Sequence, residues 1–271
     1  MVEPTSFLIA VPTFNSYQLL DHLLMSLQAQ SFHHWRLLFI DGDSDYFHRK
    51  WLDNCCYNEP RCSWIFQDPS QPGIFGAMNQ GFAKALENEW LLFWGSDDFA
   101  SNPNVFSNLI NVINSHELPP DMIVCRARYV DTATHVLCRS SVFQPSGMLR
   151  VDSYRKHLFF GSTPPHQATL IGPKGRRHIS SFSSGFRLSA DLDYFLQLSK
   201  FPDLKVQCFD LEIVYMGLGG ISMHHNFRRF QEVAFAYRKA FGWVWWFPFL
   251  MRYLLRAISL LKTFRLHKAD L

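Results

Sequence analysis

Trp90-Leu91-Leu92-Phe93-Trp94-Gly95-Ser96-Asp97-Asp98 is the stretch on which the reading of this chain turns. Five apolar residues in a row predict a buried strand. That strand delivers two adjacent carboxylates to its carboxyl end, where ligands sit in open α/β sheets. Carboxylates side by side repel each other unless a cation or the donors of a ligand hold them there. Oxygen-rich sites built from one or two carboxylates plus substrate phosphates suit Mg2+ or Mn2+. The same residues also read as an Asx-rich turn ahead of a helix starting near Asn102-Pro103. The surrounding sequence decides between the two.

Outward from that strand, Phe7 to Val11 is another apolar run, closed by Pro12. Asn15 or Ser16 can cap a helix carrying Leu19, Leu20, Leu23, Leu24 and Leu27 at helical spacing. Trp35 to Ile40 predicts a second strand, running into Asp41-Gly42-Asp43-Ser44-Asp45, and Ser63 to Phe66 a third. Ile74 to Leu86 has helical periodicity. Strands and helices alternating at this pace imply an α/β fold whose sheet is mostly parallel, with right-handed crossovers. After Asn102 the pattern loosens. Pro119-Pro120 separates a helix from a strand near Met122 to Cys125, and residues 130 to 180 read as loops with short strands or helical turns. Leu188 to Leu198 looks helical, and Glu212 to Met216 reads as a last strand. The expected organisation is a catalytic unit over residues 1–225, with halves 1–100 and 101–225, followed by a helical tail over 226–271.

Hydrophobic residues at 48% against 18% charged exclude a disordered chain. A net charge of +3 is too small to suggest nucleic acid as a partner, but it is unevenly spread. The tail holds nine Lys/Arg against two acidic residues, a charge of +7, while the first 225 residues carry −4. A basic tail on an acidic body suggests attraction to something anionic. The six cysteines form no CxxC pair and read as reduced thiols of a cytosolic protein. Met1-Val2-Glu3-Pro4 lacks the basic start of a signal peptide, and no run of about 18 apolar residues predicts a membrane span.

A dinucleotide-binding turn needs glycines so that the backbone can approach a pyrophosphate. The first β–α turn here, Val11-Pro12-Thr13-Phe14-Asn15, has none, and a P-loop is also absent. The charge of a diphosphate would then be met by a metal, with Asp97-Asp98 supplying its ligand.

These motifs together resemble glycosyltransferase family 2 and its GT-A fold. The matching segments run in order: Val11 to Asn15, Phe39 to Ser44, Gly73 to Gly81 and Leu92 to Asp98, then Pro165-His166-Gln167 and Ser189-Ala190-Asp191-Leu192-Asp193. Bacterial transferases that build colanic-acid-like capsule or exopolysaccharide look most similar. The resemblance implies that Thr13 and Asp41 bind the nucleotide's base and ribose. It likewise implies that Ala77 and Asn79 lie beside the donor, Asp97 near ribose or metal, and Asp98 on the metal, Mn2+ or Mg2+. Asp41 also reads as a turn aspartate before Gly42, and Asn79 equally as an amide tying loop backbone. Two carboxylates frequent in the family are replaced here by Gln71 and Gly76, and Asp43 adds a charge after Asp41-Gly42.

An inverting transfer needs a base for the acceptor hydroxyl and a Lewis acid for the departing diphosphate. The family's base sits where Ala190-Asp191 stands, so the resemblance implies Asp191 as base, with Asp193 as the alternative. Both aspartates would also suit the first turn of a helix for the sake of its dipole. Twin prolines ahead of His166 and Gln167 could hold that imidazole at the acceptor cleft. His224, like its neighbour His225, is a candidate late metal ligand, and Arg228 a candidate for the diphosphate; two adjacent histidines are also often simply solvated.

In the tail, Trp243 to Met251 is apolar and aromatic. Beyond it Arg252, Arg256, Ser259 and Thr263 share one helical face, and Leu250, Leu254, Ile258 and Leu261 the other. Such a helix suits the membrane interface, and packing on the catalytic unit or a homodimer contact are the alternatives. The expected function is transfer of a sugar from a nucleotide-diphosphate donor to a glycan, lipid-linked, by a cytoplasmic protein on the inner face of the cell membrane. A nucleotidyltransferase would want a Gly-rich, Arg/Lys-bearing loop after the first strand. A degenerate nucleotide-sugar-binding protein is the non-enzymatic alternative.

Overall fold

The computed structural model describes residues 5–131, 137–141, 143, 145–217 and 226–269. Four parallel strands form one half of the sheet: β1 (Ser6–Thr13), β2 (Trp35–Asp41), β3 (Cys62–Phe66) and β4 (Glu89–Phe93), in the order β3-β2-β1-β4. The sheet continues through β9 (Thr169–Ile171), β6 (Met122–Val130) and β10 (Lys205–Gly217) to the two-residue β5 (Phe99–Ala100). β9 runs antiparallel to both β4 and β6, and so joins the parallel half to the parallel pair β6–β10. β7 (Leu137–Ser140) and β8 (Gly147–Arg150) pair with β6 and β10.

Alternation along β1 explains the layering. Phe7, Ile9 and Val11 pack into one apolar cluster, with Leu20, Leu23 and Leu27 of α1 (Tyr17–Gln28) and Phe106 and Leu109 of α4 (Val105–Asn114). Leu8 and Ala10 point to the opposite face, into a cluster with Phe75, Met78 and Phe82 of α3 (Ile74–Lys84) and Leu192, Phe195 and Leu196 of α7 (Ala190–Leu198). Helices on both faces bury β4 along its whole length, which is why Trp90 to Phe93 is a continuous apolar run. Gly81 lets α3 lie close to the sheet, since a Cβ there would stand 2.7 Å from that of Ala10.

The stretch from 130 to 180 holds more regular structure than its composition predicts: β8, β9, α5 (Val151–Phe159) and the short α6 (Pro173–His178). The expected last strand, Glu212 to Met216, is the end of a longer one. α2 (Tyr46–Asn58) buries only His48, Leu52 and Cys55, too sparse an apolar face to stand out in the sequence.

The tail forms α8 (Asn226–Phe241) and α9 (Trp246–Ala269). Val233, Ala236, Tyr237, Ala240 and Phe249 belong to the same apolar cluster as α3 and α7. Among the described residues no helix is long and apolar enough to cross a membrane. The face of α9 that carries Arg252 is turned inward and the apolar face outward. Arg252 is buried, while Leu250, Leu254 and Ile258 are exposed. The physical reason is a close approach: Gly161, at φ +81°, lies against the Arg252 backbone where any Cβ would collide.

Candidate active site

The carboxyl ends of β1, β2 and β4 meet at one edge of the sheet. Thr13 and Asp41 are direct neighbours in the parallel register of β1 and β2. The turns that follow are tied together. Asn15, at φ +47°, donates its N–H to Ser44 Oγ and accepts at Oδ1 from the N–H of Asp45. Ser16 Oγ meets Ser96 Oγ at 2.8 Å, which binds the first turn to the end of β4. Asp43, also at positive φ, points to solvent, with Arg49 at 3.6 Å.

Asp98 is buried, and its Oδ2 accepts the N–H of Gly95 at 2.6 Å. Burial pushes its carboxyl well above the ordinary carboxylate range, and the charge of Asp97 adds to this, against the Gly95 N–H and the positive side of His166. Burial raises Asp97 too. A cation beside the pair would relieve this repulsion, and the chemistry of the donor set, two adjacent carboxylates, fits Mg2+ or Mn2+. Among the described residues no cluster of three or more His, Cys, Asp or Glu side chains is arranged around a metal. His224 lies outside the described residues.

Asp41 is fully buried and accepts from both the N–H and the hydroxyl of Ser44. His48 Nε2 faces it at 3.6 Å. Burial lowers the His48 pKa despite the nearby charges of Asp41 and Asp45, and its Nδ1 accepts the N–H of Ser16 at 3.2 Å. The proton of this neutral imidazole therefore sits on Nε2, facing Asp41. Asp41 thus acts in this structure through its turn. Thr13 Oγ1, next to it, is buried with no hydrogen-bond partner.

Asn79 ties loop backbone. Its Nδ2 donates to the Phe182 carbonyl at 3.2 Å and its Oδ1 accepts the Phe182 N–H at 2.7 Å. Ala77, on the same helix, is buried. The departure at Gly76 has a steric basis, since any side chain there would run into the Gln71 carbonyl oxygen.

Across the site, Asp191 lies in the first turn of α7. Burial alone would raise its carboxyl, but His166, by hydrogen bond and charge, and then Arg252, hold it below the usual carboxylate value. His166 Nδ1 stands 3.5 Å from Asp191 Oδ2. The Gln167 carbonyl accepts Trp94 Nε1 at 2.9 Å, which anchors this segment to the end of β4. Asp98, His166 and Asp191 therefore form one electrostatic neighbourhood. Asp193 is fully buried and occupied, accepting from Ser183 Oγ, Gln197 Nε2 and Lys239 Nζ at 2.6, 3.0 and 2.9 Å. Those bonds tie α7 to α8, which leaves Asp193 poorly placed to take a proton from an acceptor. Arg228 is likewise engaged, 3.0 Å from Glu232. Glu232 in turn accepts the N–H groups of Arg187, Leu188 and Ser189, and so positions the start of α7. His48 and Glu232 are contributors that no sequence motif marks.

The family profile described as glycosyl transferase family 2 matches residues 8–185. PGL/p-HBAD biosynthesis glycosyltransferases of Mycobacterium bovis and Mycobacterium tuberculosis are 27% identical over 219 residues, covering 80% of this chain and 78% of theirs. Among solved structures, a fragment of Staphylococcus aureus TarS in complex with UDP-GlcNAc superposes with a TM-score of 0.66 at 17% identity, over 87% of this chain and 67% of that one. Against a longer TarS chain the score is 0.65 at 14% identity, and this chain, 86% of it aligned, spans only 39% of TarS. The mannosyltransferase PcManGT of Pyrobaculum calidifontis, in complex with GDP-Man and Mn2+, scores 0.60 at 12% identity over 86% of this chain and 63% of that one. The sheet flanked by helices is thus a GT-A fold, and the chain belongs to glycosyl transferase family 2.

Proposed function

We propose that this transferase inverts configuration at the anomeric carbon, moving a sugar from a nucleotide-diphosphate donor to a glycan acceptor that is lipid-linked. The observation that carries this reading is His166 itself, 3.5 Å from Asp191 and near enough for its charge to act on the buried Asp98. One carboxylate stands at the strand end where a donor's diphosphate belongs, and the other is held ionised where an acceptor hydroxyl would arrive.

In this reading Asp97 and Asp98 hold Mg2+ or Mn2+ together with the donor's diphosphate. The metal, when bound, supplies Lewis-acid stabilisation of the departing diphosphate. Thr13 offers its unpartnered hydroxyl to the nucleotide, while Asp41 shapes the floor of that half through Ser44 and His48. Asp191 takes the proton of the acceptor hydroxyl as that oxygen attacks, and His166 keeps the carboxylate oriented and ionised. Asn79 contributes by fixing the Phe182 loop. The complexes of TarS with UDP-GlcNAc and of PcManGT with GDP-Man and Mn2+ support a nucleotide-sugar donor and a divalent metal by analogy.

The catalytic unit is assigned to residues 1–225, and the tail is assigned to a membrane surface on the cytoplasmic side. Trp243, Trp246, Leu250, Leu254 and Ile258 are exposed along it, an apolar row that a bilayer interface would cover. The test is purified full-length protein with a panel of UDP- and GDP-sugars and Mn2+. Anomeric configuration of the product is read by NMR, and flotation on liposomes is measured at low and high salt. Transfer with inversion and salt-resistant flotation support the reading. Nucleotide binding without transfer or hydrolysis would favour a binding protein, and retention of configuration would refute the mechanism.

A further inference from the structure

Arg252 and Arg256 project from α9 one helical turn apart. Arg252 is more than nine-tenths buried, and its Nη1 donates to Thr163 Oγ1. Its Nε is buried with no hydrogen-bond partner, and the Tyr237 hydroxyl lies beside the guanidinium. Among the described residues neither Arg252 nor Arg256 forms a salt bridge with a carboxylate. Arg256 feels first the charge of Arg252, then burial, then Arg229 from α8, which together bring its pKa down to about 10. Guanidinium groups gathered in a partly buried place cost free energy unless an anion meets them. Several oxygens of a phosphate satisfy such planar donors better than any single neutral acceptor.

Position indicates which phosphate. The segment Thr163-Pro164-Pro165-His166 carries Arg252 at one end and Asp191 at the other. Arg252 also acts on Asp191 directly. His166 also acts on the charge of Asp98 at the end of β4, so Arg252 reaches this neighbourhood from the Asp191 side.

We infer that Arg252 and Arg256 form a phosphate-binding site for the acceptor, and that gripping an acceptor's phosphate or diphosphate there sets its hydroxyl against Asp191. The assignment to the acceptor rests on the reading of Asp191 as base. The existence of the anion site does not.

The test uses full-length protein and inorganic pyrophosphate, titrated by calorimetry in EDTA so that no divalent metal contributes. Arg256→Gln is the informative variant because Arg252 packs inside the protein, and circular dichroism checks its fold. Wild-type protein should bind pyrophosphate, and Arg256→Gln should weaken that binding by about tenfold or more, the scale of a charge-assisted contact. Affinity for UDP and GDP with Mn2+ should be unchanged in the variant. No metal-free pyrophosphate binding, or binding that ignores Arg256→Gln, would overturn the site. Loss of UDP or GDP affinity in parallel would overturn the acceptor assignment, because the arginines would then serve the donor. Since binding is read without turnover, a failed base assignment for Asp191 would leave the pyrophosphate result standing.

Discussion

His166 Nδ1 stands 3.5 Å from Asp191 Oδ2, and the same imidazole acts on the buried carboxyl of Asp98. One side chain therefore couples the strand-end aspartates to the helix aspartate. Without it, burial would raise the Asp191 carboxyl instead of leaving it below the ordinary carboxylate value. With it, the group is an anion when an acceptor hydroxyl needs a proton acceptor.

The first prediction concerns the strand end. Asp98→Asn keeps an oxygen for the Gly95 N–H, so the turn should survive. It removes the charge that would hold a metal. Calorimetry with UDP or GDP should show Mn2+-enhanced nucleotide binding in the wild type and none in the variant. Undiminished Mn2+ enhancement in Asp98→Asn would show that the ion is held elsewhere.

Asn79 separates donor contact from architecture. Both ends of its amide are spent on Phe182, 103 residues away. Asn79→Ala leaves that N–H and carbonyl without partners, at a cost of about 1–3 kcal/mol. The expected result is a lowered Tm with donor affinity changed only a few-fold. A collapse of donor affinity in a variant as stable as the wild type would return Asn79 to the donor's side.

The pH dependence of stability has a defined contributor in Glu59. Hydrogen bonds from Arg61, with help from Gln28, outweigh burial and bring its pKa down from 4.5 to about 2. A depressed folded-state value means stability that is present above the unfolded value of 4.5 and lost as pH falls through about 2. Because Arg61 is partly open to solvent, the contribution is discounted to about 1–2 kcal/mol. Glu59→Gln should therefore be less stable than wild type in urea at pH 7, with the gap closing between pH 4.5 and 2. An equal gap at pH 7 and pH 2 would mean that packing, not charge, sets it.

The parallel half of the fold was legible because its strands are contiguous apolar runs. Phe7 to Val11 and Trp90 to Trp94 could be nothing else once helices alternated with them. Asp97 and Asp98 could be placed for the same reason, since a strand end is a local property. What escaped was long-range. Nothing near Asn79 announces Phe182, and nothing near Asp193 announces Lys239, 46 residues on. The middle of the chain is held by pairings such as β8 with β10, which local composition does not encode. Arg252 misled most. Its spacing with Arg256 describes an amphipathic helix correctly, yet the direction in which that helix faces depends on Gly161, ninety-one positions earlier.

The base assignment is the centre of the account, and Asp191→Asn tests it most directly. Asparagine keeps the shape and can still meet His166, but it cannot accept the acceptor's proton. The measurement is the initial rate of sugar transfer by purified full-length protein, with donor affinity determined on the same samples. The account predicts a rate lowered by about 10² or more, the scale of a general-base contribution, with donor affinity within a few-fold of wild type. A rate near that of the wild type, or a loss explained wholly by weakened donor binding, would contradict it.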